Sequence, residues 1–333
     1  MFLRQTPVRL SRHACQQRLV SCRSAGRPNF HILLLHQPSP TILKNDILRR
    51  QLDDLNDRLE PLGTERPRVL ACLIEDLAGM TRAELIVRDA VFPPGVFLDL
   101  QSAADRCAAG EPVAYATGRA VFRGLRLHVD PRVLIPRPET EEVVQYVLDE
   151  HGPGPLRVLD VGTGSGCIAL ALKAERPDWS VVALDASDDA LDVARANGRD
   201  LGLDVEWRSA NFFAEDALPD GPFDLIVSNP PYIPPQEIRH MDASTVRFEP
   251  AMALFTDDDM GLICYDAILH AAPDRLAPGG SIVFELGFKT PAVALTSWAE
   301  RLGLTDMRVH PDMAGRQRIW SARDSREGPP KTP

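Results

Sequence analysis

Apolar residues recur at helical spacing once the chain passes Asp46. Leu48, Leu52, Leu55 and Leu59 stand four, three and four residues apart with polar residues between them, which predicts an amphipathic helix that stops at Pro61 and Gly63. Leu70, Leu73 and Leu77 repeat the pattern up to Gly79. Thr81 followed by Glu84 forms a capping box for a third short helix, because hydroxyl and carboxylate can each satisfy an amide that the first turn leaves unpaired. A fourth helix is expected from Val96 to Ala109, ahead of Gly110. Residues 46–115 thus read as a small helical domain.

The period then changes. Val121, Leu125, Leu127 and Val129 alternate with Arg and His, and Gly118 and Gly124 supply turns, so residues 116–138 are expected to form a β-hairpin linker. Pro131, Pro136 and Pro138 stiffen the chain before a helix over Thr140–Glu150. From Leu156 strands and helices alternate. Arg157–Val161, Ser180–Asp185 and Phe223–Ser228 are nearly continuous apolar runs, as expected when helices cover both faces of a parallel sheet. Further strands are expected at Val205–Ser209, Ser281–Leu286, Thr305–Pro311 and Arg318–Ala322. The last two are joined by Asp312–Arg316, too short for a crossover helix, and should pair antiparallel at a sheet edge. The expected fold class is α/β: a Rossmann-like, mostly parallel sheet with an antiparallel last strand over residues 139–323, preceded by the helical domain and hairpin and followed by a tail at 324–333.

Composition adds limits. With 44% hydrophobic and 25% charged residues the chain has a globular composition, and no apolar run approaches the roughly 20 residues a membrane helix needs. Six cysteines show no C-x-x-C pair and no histidine cluster at metal spacing, so neither a metal site nor a disulfide framework is indicated. Charge is unevenly spread. Arg4, Arg9, Arg12, Arg18, Arg23, Arg27 and Lys44 give residues 1–45 a charge of +7 without one acid, so the net −10 leaves −17 on residues 46–333. The leader has the composition of an organelle transit peptide, and equally of a disordered extension or an upstream start. A bacterial cytoplasm is the expected location, or the mitochondrial matrix if the leader is a transit peptide. The acidic remainder argues against a broad nucleic-acid-binding surface.

Chemistry concentrates after the strands. Val158-Leu-Asp160-Val-Gly162-Thr163-Gly164-Ser165-Gly166 leads from a strand through a glycine-rich turn into a helix, where a ligand can approach the backbone closely. Cys167 stands where a dinucleotide fingerprint has its third glycine, and Asp160 disfavours phosphate, so a nucleoside with a cationic or amine-bearing group fits better. Asp185 ends the next strand, where a carboxylate can accept both ribose hydroxyls or, alternatively, cap the following helix. Asn211-Phe212-Phe213 follows the third strand; a polar group beside an aromatic suits an adenine edge and face, with Phe213 expected in the core. After the fourth strand comes Asn229-Pro230-Pro231-Tyr232. The prolines rigidify the loop, the Asn amide and the Pro230 carbonyl can accept the two N–H bonds of a planar amino group, and Tyr232 offers a face for stacking.

These features resemble a class I S-adenosylmethionine-dependent methyltransferase acting on a planar nitrogen. Gly110-Glu-Pro-Val-Ala-Tyr115-x-x-Gly118, Leu134-Ile-Pro136-Arg137-Pro138-Glu139-Thr140-Glu141 and Val246-Arg-Phe-Glu249-Pro250 are similar to the HemK/PrmC family, the glutamine-N5 methyltransferases of peptide chain release factors. The resemblance runs from about residue 46 to 322. It implies an S-adenosylmethionine site at Gly162, Thr163, Gly164, Ser165, Gly166, Asp185, Phe212 and Asn229. It further implies that Asn229, Pro230, Pro231 and Tyr232 hold the glutamine amide, with Asn229, Pro230 and Tyr232 carrying catalysis. Pro136–Thr140 would close over the pocket, and the helical domain would recognise the release factor, the protein working as a monomer without direct contact to nucleic acid or membrane. Asn211 departs from the family's usual Asp. Two readings share the chemistry, a ribosomal-protein glutamine methyltransferase and an adenine-N6 methyltransferase of DNA or RNA; a nucleoside-binding regulator would keep the glycine loop without needing Asn229–Tyr232.

Overall fold

The computed structural model describes residues 40–326 apart from Asp89, 215–217 and Phe288, with side chains from Lys44 onward. The expected leader and tail fall outside the described residues, except that 40–45 and 324–326 are seen and Pro40 already begins a helix.

Five helices open the described chain: α1 (Pro40–Arg58), α2 (Arg66–Ala78), α3 (Arg82–Val87), α4 (Pro94–Ala108) and the short α5 (Val113–Thr117). The leucine stripe does what its period requires. Leu48, Leu55 and Leu59 are buried with Leu70, Leu73, Ile74 and Leu100 in one cluster. The capping box forms as expected, the Glu84 amide donating to Thr81 Oγ1 at 3.2 Å and the Thr81 amide donating to Glu84 Oε2 at 2.9 Å. Helix α5 was not expected; Pro112 precedes it and Gly118, at φ 71°, ends it.

A two-stranded hairpin follows, β1 (Arg119–Phe122) and β2 (Leu125–His128). Arg123 and Gly124 both take positive φ, 46° and 76°, the turn that matches strand twist. The phase of β1 differs from expectation: Phe122 is buried and Val121 is 63% exposed.

The remaining elements are α6 (Pro138–Glu150), β3 (Arg157–Val161), α7 (Cys167–Glu175), β4 (Ser180–Asp185), α8 (Asp188–Leu201), β5 (Glu206–Ser209), β6 (Phe223–Ser228), α9 (Ala243–Phe248), α10 (Ala251–Leu254), α11 (Ile263–Ala271), β7 (Leu276–Glu285), α12 (Ala292–Arg301), β8 (Leu304–Pro311) and β9 (Gln317–Asp324). The sheet order is β5-β4-β3-β6-β7-β9-β8, parallel through β7, with β9 antiparallel to both neighbours. Alternate residues of β3 and β6 enter two cores, Leu159, Val161 and Ile226 on one face and Val158, Leu225 and Val227 on the other. Helical and α/β parts belong to one compact unit beginning at Thr41.

The chain leaves β3 toward β4 on one side and returns through β6 on the other. That reversal opens a crevice beyond the carboxyl ends of the two strands, where ligands bind in open α/β sheets. Val161 pairs with Ser228, and Ser228 Oγ donates to Val161 O at 2.6 Å. The glycine loop and the N-P-P-Y loop therefore leave the sheet at the same level.

Candidate active site

The loop after β3 is held by its own strand end and by the neighbouring β4 and α8. Gly162 and Gly164 have φ of 73° and 54°, with no atom within 4 Å of where a Cβ would project. Both line a cavity of about 560 Å³ together with Asp185, Phe212, Asn229 and Pro231. Thr163, Ser165 and Gly166, expected at the cofactor, do not line it. Thr163 Oγ1 turns inward and donates to Asp160 Oδ2 at 2.6 Å, and Ser165 is buried with its carbonyl accepting from Asn197 Nδ2 at 2.9 Å. A Cβ on Gly166 would lie 3.0 Å from Trp207. Asn197 also exchanges two hydrogen bonds with the His128 backbone, tying the hairpin to the loop.

Asp160 is fully buried beneath this loop and also accepts from the Ala169 amide at 3.2 Å. Burial pushes its carboxyl up to about 7, and Oδ1 has no partner among the described residues. Its observed contacts brace the loop.

Asp185 is not the cap of α8. The α8 cap is Ser187, whose Oγ accepts from the Ala190 amide at 3.2 Å. Asp185 instead accepts from the Gly164 amide at 2.8 Å and the Ser187 amide at 2.9 Å, with its carboxylate in the cavity wall. Burial raises its carboxyl above the ordinary range while these bonds oppose that rise. Asn211 Oδ1 accepts from the Phe213 amide at 3.0 Å. Phe212 packs against the core, whereas Phe213 is 50% exposed at the cavity, contrary to its expected burial. Phe213 follows a turn closed by the Asn211 side chain, which carries its ring outward.

The N-P-P-Y loop is held from a distance. Asn229 Nδ2 donates to Thr140 Oγ1 at 3.2 Å, and Thr140 Oγ1 donates to Glu285 Oε2 at 2.6 Å. Thr140 is buried in the first turn of α6, behind Asn229, so it supports the site and does not cover it. Glu285, the acid closing β7, is 1% exposed. With Nδ2 committed, Asn229 Oδ1 is the acceptor of that amide and has no partner among the described residues. Asn229 lines the 560 Å³ cavity and also a second one of about 230 Å³, shared with Pro230, Tyr232, Leu134, Arg137 and Met241. A third cavity of about 660 Å³ adjoins it across Tyr232 and Arg137. Burial raises the Tyr232 phenol above its usual range. Its ring needs Gly287, where a Cβ would come within 2.5 Å of Tyr232 Cδ2.

Arg137 Nη2 pairs with the buried Glu249 at 2.5 Å, and Glu249 also accepts from the Ile135 amide at 3.3 Å. These contacts fasten the Pro136–Thr140 segment to the Arg247–Pro250 segment. Tyr115 OH donates to Val133 O at 2.6 Å, joining the helical part to a wall of the 560 Å³ cavity. Glu285 and Gly287 received no role from sequence reasoning. Their signal was slight: one acid ending an apolar strand and a glycine two residues later.

The family model described as the PrmC N-terminal domain matches residues 52–118, and that of the methyltransferase small domain matches 143–254. The release factor glutamine methyltransferase of Neisseria gonorrhoeae is 42% identical over 269 residues, 78% of this chain and 95% of that protein. That of Burkholderia pseudomallei is 37% identical over 298 residues, 86% of this chain and 98% of that protein. The chain belongs to the HemK/PrmC family of release factor glutamine methyltransferases. A solved methyltransferase from Pyrococcus furiosus is 20% identical with a TM-score of 0.47, covering 66% of this chain and 96% of that one. Of the five glycine-loop residues expected at the cofactor, two line the 560 Å³ cavity, and Asn229 lines both that cavity and the 230 Å³ one. No helix among the described residues is long and apolar enough to cross a membrane.

Proposed function

We propose that this protein methylates the side-chain amide nitrogen of the glutamine in the Gly-Gly-Gln motif of peptide chain release factors, with S-adenosylmethionine as methyl donor. One observation carries the reading: Asn229 lines both cavities while Thr140 holds its Nδ2, leaving Oδ1 to accept.

The residues fit the cofactor. A cavity of about 560 Å³ suits a nucleoside-sized ligand, and Cβ atoms on Gly162 and Gly164 would project where no other atom lies. Asp185 keeps lone pairs for ribose hydroxyls, Phe212 offers an apolar face to adenine, and Asn211 can accept from its amine with its remaining lone pair. S-adenosylmethionine, when bound, supplies an electrophilic methyl group carried on a sulfonium.

An amide nitrogen is a poor nucleophile because its lone pair is delocalised into the carbonyl. Asn229 Oδ1 and the Pro230 carbonyl accept its two N–H bonds, fix the direction of the nitrogen and stabilise the positive charge that grows there. Tyr232 packs on the amide face. The N–H proton becomes acidic as the new N–C bond forms and passes to water, so no strong base is required. The helical domain serves as the recognition surface for the release factor.

The test is transfer of labelled methyl from S-adenosylmethionine to purified release factor, ribosomal protein or DNA. Label is expected on the release factor glutamine; label confined to ribosomal protein or nucleic acid overturns the reading.

A further inference from the structure

Thr140 Oγ1 sits between Glu285 Oε2 at 2.6 Å and Asn229 Nδ2 at 3.2 Å. A hydroxyl has one hydrogen, so it donates to one of these neighbours and accepts from the other. While Glu285 is ionised it only accepts. Thr140 then donates to it, and Asn229 must present its NH₂ to Thr140 and its Oδ1 to the site. When Oε2 carries a proton, that O–H donates to Thr140, whose hydrogen turns toward Asn229. The Asn229 amide then lowers its energy by turning over, with Oδ1 toward Thr140. Its NH₂ would now meet the N–H of the substrate amide, donor against donor.

We propose that Glu285 is a positioning residue that sets, through Thr140, which end of the Asn229 amide faces the substrate, so that methyl transfer proceeds only while Glu285 is ionised. The inference rests on the glutamine-amide reading.

The surroundings leave both charge states within reach. Arg318 on β9 stands 4.0 Å from Glu285 Oε1, but it also donates to Leu286 O at 2.9 Å and pairs with Asp312 at 3.2 Å. Arg137, ahead of α6, favours the carboxylate, yet it is bound to Glu249 at 2.5 Å. Glu139 on α6 opposes ionisation. The Tyr232 phenol and the Cys167 thiol, both driven toward their neutral forms by burial, also face the group, and Tyr265 OH on α11 donates to the Glu285 backbone carbonyl at 2.7 Å. Burial outweighs the rest and pushes the carboxyl up to about 7.

The experiment is the pH profile of kcat on release factor between about pH 5.5 and 9, for wild type, Glu285→Gln, Thr140→Val and Thr140→Ser. Wild type should lose about tenfold per pH unit below the Glu285 titration. In Glu285→Gln the amide oxygen takes the place beside Arg318 and the NH₂ faces Thr140, copying the protonated arrangement at every pH. Its kcat should be flat in pH and about 100-fold below the wild-type alkaline plateau, with the KM for release factor changed far less. Thr140→Val leaves Glu285 in place but cuts the relay, so the acid limb should vanish there too; Thr140→Ser should restore it. Cofactor binding by calorimetry checks that each variant folds, and Thr140→Val carries the test if Glu285→Gln does not. An acid limb unmoved in the folded variants, or a Gln variant matching wild type at the plateau, overturns the relay alone. Absence of wild-type turnover on release factor defeats the release-factor reading, the same profiles then being taken on ribosomal protein, and absence of turnover on either protein defeats the glutamine reading and the relay with it.

Discussion

The loops after β3 and β6 emerge side by side, yet they are stabilised over different distances along the chain. The glycine loop is braced by Asp160, three residues before Thr163, and by Asp185 at the next strand end. The N-P-P-Y loop depends on Thr140, 89 residues before Asn229, and on Glu285, 145 residues beyond Thr140. Its flanking segment depends on Glu249, 112 residues after Arg137. On the proposed mechanism, a cradle that only has to bind can be built from backbone closer in the chain. A group that has to aim an acceptor needs several elements to agree on its position.

Substitutions can pull the two halves apart. Asn229→Ala should give the largest effect, lowering kcat by about 10²–10³ with a much smaller change in S-adenosylmethionine affinity, because an acceptor of transition-state charge is lost. Equal losses in both would make Asn229 mainly a cofactor residue and erase the contrast. Asp185→Ala should do the reverse, weakening cofactor binding by about 10–100-fold in calorimetry while kcat at saturation changes little. A large fall in saturated kcat with affinity intact would count against that division. Glu249→Gln should cost about 2 kcal/mol in denaturant unfolding by leaving Arg137 poorly paired, and it should impair turnover more than cofactor binding. If cofactor affinity suffers first, the segment belongs to the other half. Thr81→Ala, remote from both loops, should cost about 1 kcal/mol of stability and leave kinetics alone; altered kinetics would mean that the helical part acts on the site directly.

The same contrast explains what the sequence could convey. Arg157–Val161, Ser180–Asp185 and Phe223–Ser228 are bounded as expected, because buried parallel strands announce themselves as apolar runs. The capping box at Thr81 was equally plain, being a local pairing. The long connection after β6 hid α9, α10 and a 3₁₀ turn at Pro235–His240, whose short spans give no period to read. Strand β7 begins at Leu276 and not at Ser281, since Pro278-Gly279-Gly280 resembles a turn although it lies in an irregular part of the strand. In the site, residue types at the loops were legible. The inward turn of Thr163 and Ser165, the exposure of Phe213 and the support of Asn229 by Glu285 depend on elements that meet only in three dimensions.

The pairing of Val161 with Ser228 has a consequence beyond strand order. On the proposed mechanism it makes the sheet a gauge for the reaction: Gly162 and Asn229, placed there on either side of the methyl transfer, are spaced by adjacent hydrogen-bonded strands about 4.8 Å apart. A slip of one residue would move one side by about 3.3 Å along the strand, as far as the whole approach between reacting atoms. On that mechanism strand alignment is a determinant of rate, and a single-residue insertion in β6 should abolish turnover even where both ligands still bind.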